Sequence, residues 1–400
     1  MYNDPVIYAH ALELSNYHKF SSETHNERYV MTMTHAYQLC CAAMVDYNGE
    51  GSRDGVETIQ YFADPAGQIT IREAWNDPDS VAIMMRLLNK TMGSHENYAH
   101  GTFQIYYKGL LALNSGSYRR YGSPSHNYYH QATLADNGLL VFNPANASDD
   151  SSNTASYFYS GSQLRTSVAN NFDAWMSTGH VVDTLGADYG YNTDGTPKYA
   201  YISGDLTGTY DTFTVDYVGR KMFTLFTGDD DIPALFFTFD QIESDNADFT
   251  KHWLLHIVNE PEIDQDNLTA TVINGDGKMY VESLFGADAI IKVGGTGKAF
   301  WINGYFKDYS NRGSWDEKLQ DFTDPSDKGS WVEGKNATDE STTDDKADDI
   351  WGRIELRTSG EKYSKLFTVM AITDTVNEIP FEIKKFKTVY VIIIKSFTLG

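Results

Sequence analysis

Cysteine is nearly missing from this chain: Cys40 and Cys41 are the two present, side by side within an apolar run. Neighbouring cysteines seldom bridge one another, so they read as buried thiols, and a disulfide framework is excluded as the source of stability. Basic residues are also scarce. Lys and Arg number 31 against 55 Asp and Glu, a formal charge of −24. That balance argues against nucleic-acid binding, which needs clustered cations to meet phosphates. It weighs mildly against a polyanionic sugar too, although Arg119, Arg120 and Arg165 could form a local basic groove able to receive a uronate. Otherwise a net charge of one sign serves solubility. No long hydrophobic run occurs, since the apolar stretch Tyr390 to Ile394 is far too short to cross a bilayer, and no membrane association is expected. The opening Met1-Tyr-Asn-Asp-Pro lacks the basic start and apolar stretch of a cleavable signal. No internal repeat of fixed period is visible.

What the chain does have is aromatic and β-branched character. Aromatics make up 14% of it, with 27 Tyr and 21 Phe, a mixture that suits pleated sheets and carbohydrate-facing surfaces alike. Four hundred residues call for two domains or one large all-β body. Residues 5–62 carry apolar side chains at helical spacing, as in Val30, Met33, Ala36, Leu39 and Ala43, so a short helical segment is expected over residues 1–67. The turn Asp64-Pro65-Ala66-Gly67 closes it. From Ile69 onward the pattern changes to alternation and β-branched runs. Strands are expected at Thr102 to Tyr107, Leu139 to Phe142, Tyr199 to Ser203, Lys221 to Phe226 and Ala234 to Phe239. Others come at Trp253 to Val258, Leu268 to Ile273, Lys278 to Ser283, Phe300 to Gly304, Ile354 to Arg357, Lys365 to Met370 and Thr388 to Ile394. Asn274-Gly-Asp-Gly reads as a hairpin turn. Residues 307–349 are acidic and poor in apolar side chains, the composition of a long mobile loop.

Several motifs lose their first appeal. Gly294-Gly-Thr-Gly-Lys298 has the wrong glycine spacing for a phosphate loop, and Ala299 stands where Ser or Thr would hold magnesium. Asp229, Asp230 and Asp231 lack the glycine and distal Glu of a calcium loop. Asn146, Asn267 and Asn336 open glycosylation triplets of a kind common by chance.

The segment from Ser94 to Tyr118, Ser-His-Glu-Asn-Tyr-Ala-His-Gly-Thr-Phe-Gln-Ile-Tyr-Tyr-Lys-Gly-Leu-Leu-Ala-Leu-Asn-Ser-Gly-Ser-Tyr, is different: polar side chains form a turn that runs into a hairpin. It resembles the heparinase II/III-like polysaccharide lyases, in which a His-x-His-x-x-Asp segment leads into a strand, then an Ala-Ile-Asp-Ser-Gly-x-Tyr turn and a Tyr-Gly-Ser loop. The similarity continues through Asp77 to Met85, Tyr121-Gly-Ser-Pro-Ser-His, Gly204-Asp-Leu-Thr, Lys251-His-Trp-Leu-Leu-His and Gly352-Arg-Ile-Glu-Leu, about residues 68–372. The resemblance implies a mainly β fold: a large antiparallel β-sandwich over residues 68–260, a smaller C-terminal β domain over 261–400, and, before them, the remnant of a helical toroid. It also implies a periplasmic or secreted setting.

In that family a uronic acid loses the proton alpha to its carboxylate and the glycosidic oxygen leaves protonated, which requires charge stabilisation, a base and an acid. The resemblance makes His95 the sandwich histidine of the catalytic centre and Tyr118 and Tyr121 its supporting tyrosines. Asp136, where the family often has His, and Arg165 are the expected substrate contacts. The toroid's Tyr and His have no recognisable counterpart here, since Tyr17, His18 and His25 sit in no matching motif.

Where family members hold zinc with His, Asp and His, this chain offers Asn97, Asn114 and, less securely aligned, Asp183. Neutral amides suit zinc poorly, so the expectation is no cofactor and a hydrogen-bonded polar cluster at this position, with an oxygen-ligated calcium site as the alternative. His100 is a further candidate ligand. Two functional readings stand. One is a lyase of acidic polysaccharide that is weak or incomplete as an isolated chain, completed by a second copy in a homodimer or a separate toroid chain. The other is a catalytically inactive glycan-binding or relic sandwich.

Overall fold

The computed structural model describes residues 56–63, 66–75, 77–90, 97–115, 132–143, 161, 163, 181–294 and 351–376, with the backbone of four further short strands. The chain divides between Thr58 and Ile59 into two compact units, and every described strand belongs to the second.

These strands are antiparallel throughout. The first five are β1 (Ile59–Phe62), β2 (Gln68–Arg72), β3 (Ala82–Arg86), β4 (Thr102–Tyr106) and β5 (Leu110–Ala112), which form one five-stranded meander. Then come β6 (Leu139–Phe142), β7 (Asp183–Tyr191), β8 (Pro197–Asp205), β9 (Val215–Phe226), β10 (Ala234–Ser244) and β11 (Thr250–Ile257). Next in the chain are β12 (Glu262–Asp264), β13 (Thr269–Asn274), β14 (Gly277–Phe285) and β15 (Ala289–Gly294). The short pair β16 (Trp315–Asp316) and β17 (Asp321–Phe322) precedes β18 (Gly352–Thr358) and β19 (Tyr363–Asp374), and a hairpin of β20 (Phe381–Phe386) and β21 (Val389–Ile394) comes last. Among the described residues no helix is long and apolar enough to cross a membrane.

An eight-stranded sheet runs in the order β12-β13-β14-β19-β10-β9-β8-β7, and a four-stranded sheet in the order β15-β18-β11-β6. Alternation builds both. In β10, Ala234, Phe236 and Ile242 point into one apolar core, as do Ile69 and Ile71 of β2, Trp253 and Leu255 of β11, and Ile354 and Leu356 of β18. Phe103 of β4 sits at the junction of the layers, its ring 4.7 Å from Phe236 and 6.1 Å from Trp253. The Trp253 indole donates to Thr238 Oγ1 at 3.0 Å. The architecture is therefore a β-sandwich, with the large sheet stacked on the two smaller ones.

Two expected boundaries shift. β1 lies inside the stretch read as helical, paired with β2 from Ile59↔Ile71 to Phe62↔Gln68, so the sheet begins before residue 68. The described strands β12–β15, β18 and β19 do not form a layer of their own. β19 fills the gap between β10 and β14, and β18 pairs with β11, so early and late strands interleave in the same sheets. Local periodicity marks a strand but carries no record of its partner, which explains both differences. The hairpin at Asn274 to Gly277 is present as expected. The expected strand Phe300 to Gly304 and most of the acidic loop lie outside the described residues.

The outer face of the large sheet carries a band of rings. Tyr199, Phe223, Phe237 and Phe367 succeed one another across the sheet at 6.2, 5.8 and 6.1 Å, and Phe285 stands 5.6 Å from Phe367. Tyr201, Lys221, Phe223, Phe237, Phe239 and Phe367 line a shallow, open depression of about 460 Å³.

A buried charge pair joins two neighbouring strands of the large sheet. Arg220 of β9 donates from Nε to Asp240 Oδ1 at 2.7 Å and from Nη2 to Oδ2 at 3.1 Å, and both side chains are buried. Removing one member strands a buried charge, so Arg220→Met is expected to destabilise the protein by about 3–5 kcal/mol. Arg220→Met/Asp240→Leu together should cost less than the sum of the single changes, as read from denaturant unfolding curves. Additive losses would contradict the coupling.

Candidate functional site

Three stretches of chain meet at a 3-10 turn, Thr133–Ala135. Thr133 Oγ1 donates to the Tyr98 carbonyl at 2.6 Å and accepts from the Gln163 N–H at 2.9 Å. The Ser115 N–H donates to the Ala135 carbonyl at 2.7 Å. Residues 97–101, 113–115 and 163 are thereby fixed to one anchor. His95, Tyr118, Tyr121 and Arg165, together with Arg119 and Arg120, lie outside the described residues. Tyr98, Ser115 and Gln163, which stand close to them in sequence, are brought together here.

The anchor is tied to the sandwich from below. Arg220 Nη1 donates to the carbonyls of Gly101 and Asn137 at 2.7 and 2.9 Å, so the buried ion pair also holds two of the converging segments. Gly101 is suited to this place because its φ is +75° and a Cβ would stand 2.7 Å from Leu206 Cδ2. The Asn137 amide joins three more backbone positions. It donates to the Phe103 carbonyl at 2.8 Å and the Leu113 carbonyl at 3.2 Å, and its Oδ1 accepts from the His256 N–H at 2.7 Å.

Electrostatically the cluster is built mostly from groups kept neutral. Burial pushes the Asp136 carboxyl up to about 8 against the pull of Arg86, and neither carboxyl oxygen has a hydrogen-bond partner among the described residues. Burial likewise lowers His100 to about 4, although its Nδ1 bonds the Leu88 carbonyl at 2.7 Å, and lowers His256 to about 3. Nε2 of each imidazole is unpartnered among the described residues. Glu355 is the opposite case. Burial would lift it, but Arg353, His252 and Arg357 hold its carboxyl well below the usual range, with His252 Nδ1 at 2.8 Å and Arg353 Nη2 at 2.6 Å. All four of these groups are fully or almost fully buried. None of the four is open to solvent.

This changes the part expected of Asp136. A carboxyl with zero exposure is not open to a sugar. The expected metal positions also separate by environment. Asn97 and Asn114 are half-buried in the converging segments, and Asn114 Oδ1 is an unpartnered buried oxygen. Asp183 is exposed at the start of edge strand β7, opposite Asp205. Two neutral amides and an exposed edge carboxylate do not fit zinc. Among the described residues no group of three or more His, Cys, Asp or Glu gathers as a metal site. Sequence reasoning assigned no site role to His252 or His256 and missed Gln163, because amide contacts of this kind leave no periodic trace.

No family model matches this sequence, and no curated protein matches it. Solved structures do match in fold. A heparinase III gene product with methylated lysines aligns over 94% of this chain at TM-score 0.52 and 12% identity, and the same gene product in a second structure aligns at 0.51 and 12%. Heparan sulfate lyase HepC from Pedobacter heparinus aligns at 0.49 and 9%. This chain spans 44% of the length of each. At these identities the likeness is one of fold.

The buried titrating groups give the cluster a pH signature. The native state holds a proton on Asp136 that the unfolded chain releases from about 3.8 upward, so this group erodes stability as pH rises towards about 8. His100 works in the other direction, eroding stability as pH falls from 6.5 to about 4. Asp136→Asn is expected to flatten the loss between pH 6.5 and 8, which is at most about 1.4 kcal/mol per pH unit. Unfolding curves across that range would check it; an unchanged slope would remove Asp136 as the cause.

Proposed function

We propose that this chain is the sandwich portion of a polysaccharide lyase that cleaves uronate-containing acidic polysaccharide by β-elimination. The polysaccharide-lyase-like fold supports the reading. The observation that carries it is the convergence of residues 97–101, 113–115 and 163 on the Thr133–Ala135 turn, because these flank His95, Tyr118 and Arg165 in sequence. Three separated segments held at one point are what a composite acid–base site requires.

In this reading His95 neutralises the uronate carboxylate or relays a proton, Tyr118 and Tyr121 assist at the sugar, and Arg165 supplies positive charge to an otherwise acidic chain. The reading assigns no step to zinc. This reading takes the remaining acid–base group from a helical segment outside the sandwich or from a second copy; the chain spans 44% of the length of the heparinase III structure. The name of that neighbour makes heparin the first substrate to try.

A second reading, glycan binding without turnover, draws on the charge of −24 and on Asn97 and Asn114 standing where the family's ligands carry His and Asp. One assay separates the two. The chain is incubated with heparin, heparan sulfate, chondroitin, alginate and ulvan while the ultraviolet absorbance of the unsaturated uronate is followed. The lyase reading expects a rise on at least one polymer that falls by on the order of 100-fold or more in His95→Ala. Folded protein that binds a polymer and yields no absorbance would favour the second.

A further inference from the structure

The unassigned feature with the most complete geometry is the side chain of Gln163. It is 1% exposed, and both poles of its amide are engaged by a single residue. Oε1 accepts from the His100 N–H at 2.9 Å, and Nε2 donates to the His100 carbonyl at 2.8 Å. This copies the two-bond exchange of an antiparallel strand pair at a place where no strand is present. The clamp is itself braced. The Gln163 N–H bonds Thr133 Oγ1, and Nε2 also reaches the Tyr210 hydroxyl at 3.3 Å, which donates to the Leu139 carbonyl at 2.8 Å.

A residue that merely filled space here would be served as well by Leu or Met. Either would leave the N–H and C=O of His100 buried without partners, since His100 is itself 1% exposed. The clamped residue stands five positions after His95 in the sequence, within the segment that enters β4.

We propose that Gln163 is a positioning residue of the site: its amide fixes the backbone at His100 and so sets the geometry of residues 98–102, where the chain enters β4. The positional part rests on hydrogen bonds alone, whereas the catalytic consequence rests on the lyase reading above.

The test uses the full chain as wild type, Gln163→Leu and Gln163→Glu, with amide hydrogen exchange read residue by residue. In Gln163→Leu, protection at residues 98–102 should fall by about 100-fold, the equivalent of two buried hydrogen bonds, while β9 and β10 keep theirs. Gln163→Glu retains the acceptor and loses the donor when ionised. Its protection should therefore recover towards acid pH, where the protonated carboxyl donates again. Unchanged protection at residues 98–102, or a loss spread evenly over the sheets, would overturn the clamp. Where the wild type eliminates a polysaccharide, Gln163→Leu should lower kcat by about 10- to 100-fold with KM nearly unchanged, and Gln163→Glu should regain rate as pH falls. A rise in KM alone would overturn the catalytic part. A wild type that turns over no polymer removes the lyase reading, and the exchange data still decide the clamp.

Discussion

Arg220 is the side chain on which the arrangement of the site depends. A guanidinium taken out of water carries a large desolvation cost, and four hydrogen bonds offset it: two to the Asp240 carboxylate and one each to the carbonyls of Gly101 and Asn137. The two carboxylate bonds stay within the large sheet, between neighbouring strands. The two carbonyl bonds leave it and end on irregular backbone, where sheet pairing has nothing to offer. A hydrophobic pair could fill the same volume, but it could not satisfy those carbonyls.

Around this point the molecule repeats one device, the side chain that stands in for a missing strand. Asn137 bonds the backbone of Phe103, Leu113 and His256, Gln163 bonds that of His100, and Thr133 bridges Tyr98 and Gln163. Each has its own donor and acceptor layout, so each imposes a register as well as an attraction. The titratable groups buried among them are neutralised or paired. Asp136 keeps its proton, His100 and His256 lose theirs, and Glu355 is surrounded by cations.

How much of this could be read in the sequence depends on the range of each interaction. Strands such as Ile69 to Arg72 and Leu139 to Phe142 were legible because alternation and β-branching act within a few residues. The Asn274 to Gly277 hairpin was legible for the same reason. β1 was not, since its four residues are preceded by an Ala- and Met-rich stretch with helical spacing that masks so short a strand. The insertion of β19 between β10 and β14 left no local sign at all. For the site, the motif around His95 pointed to the stretches of chain that flank the converging segments, while His95 itself lies outside the described residues. The complete burial of Asp136 was not legible because burial is a property of the folded body, and Gln163 was overlooked because one amide in a polar stretch looks like any other.

The interleaved order of the large sheet also governs how the chain assembles as it is made. Strands β7 to β10 leave the ribosome early and can form a half-sheet whose last member, β10, has one bare edge. Strands β12 to β14 emerge next as a second half with the bare edge of β14. Both edges wait for β19, which ends at Asp374. During that interval two long apolar strands stand open to any extended segment nearby, a condition that favours mispairing and slow closure. β19 thus acts as the keystone of vectorial folding, and a nascent chain released before Tyr363 would expose two incomplete sheets in place of one finished sandwich.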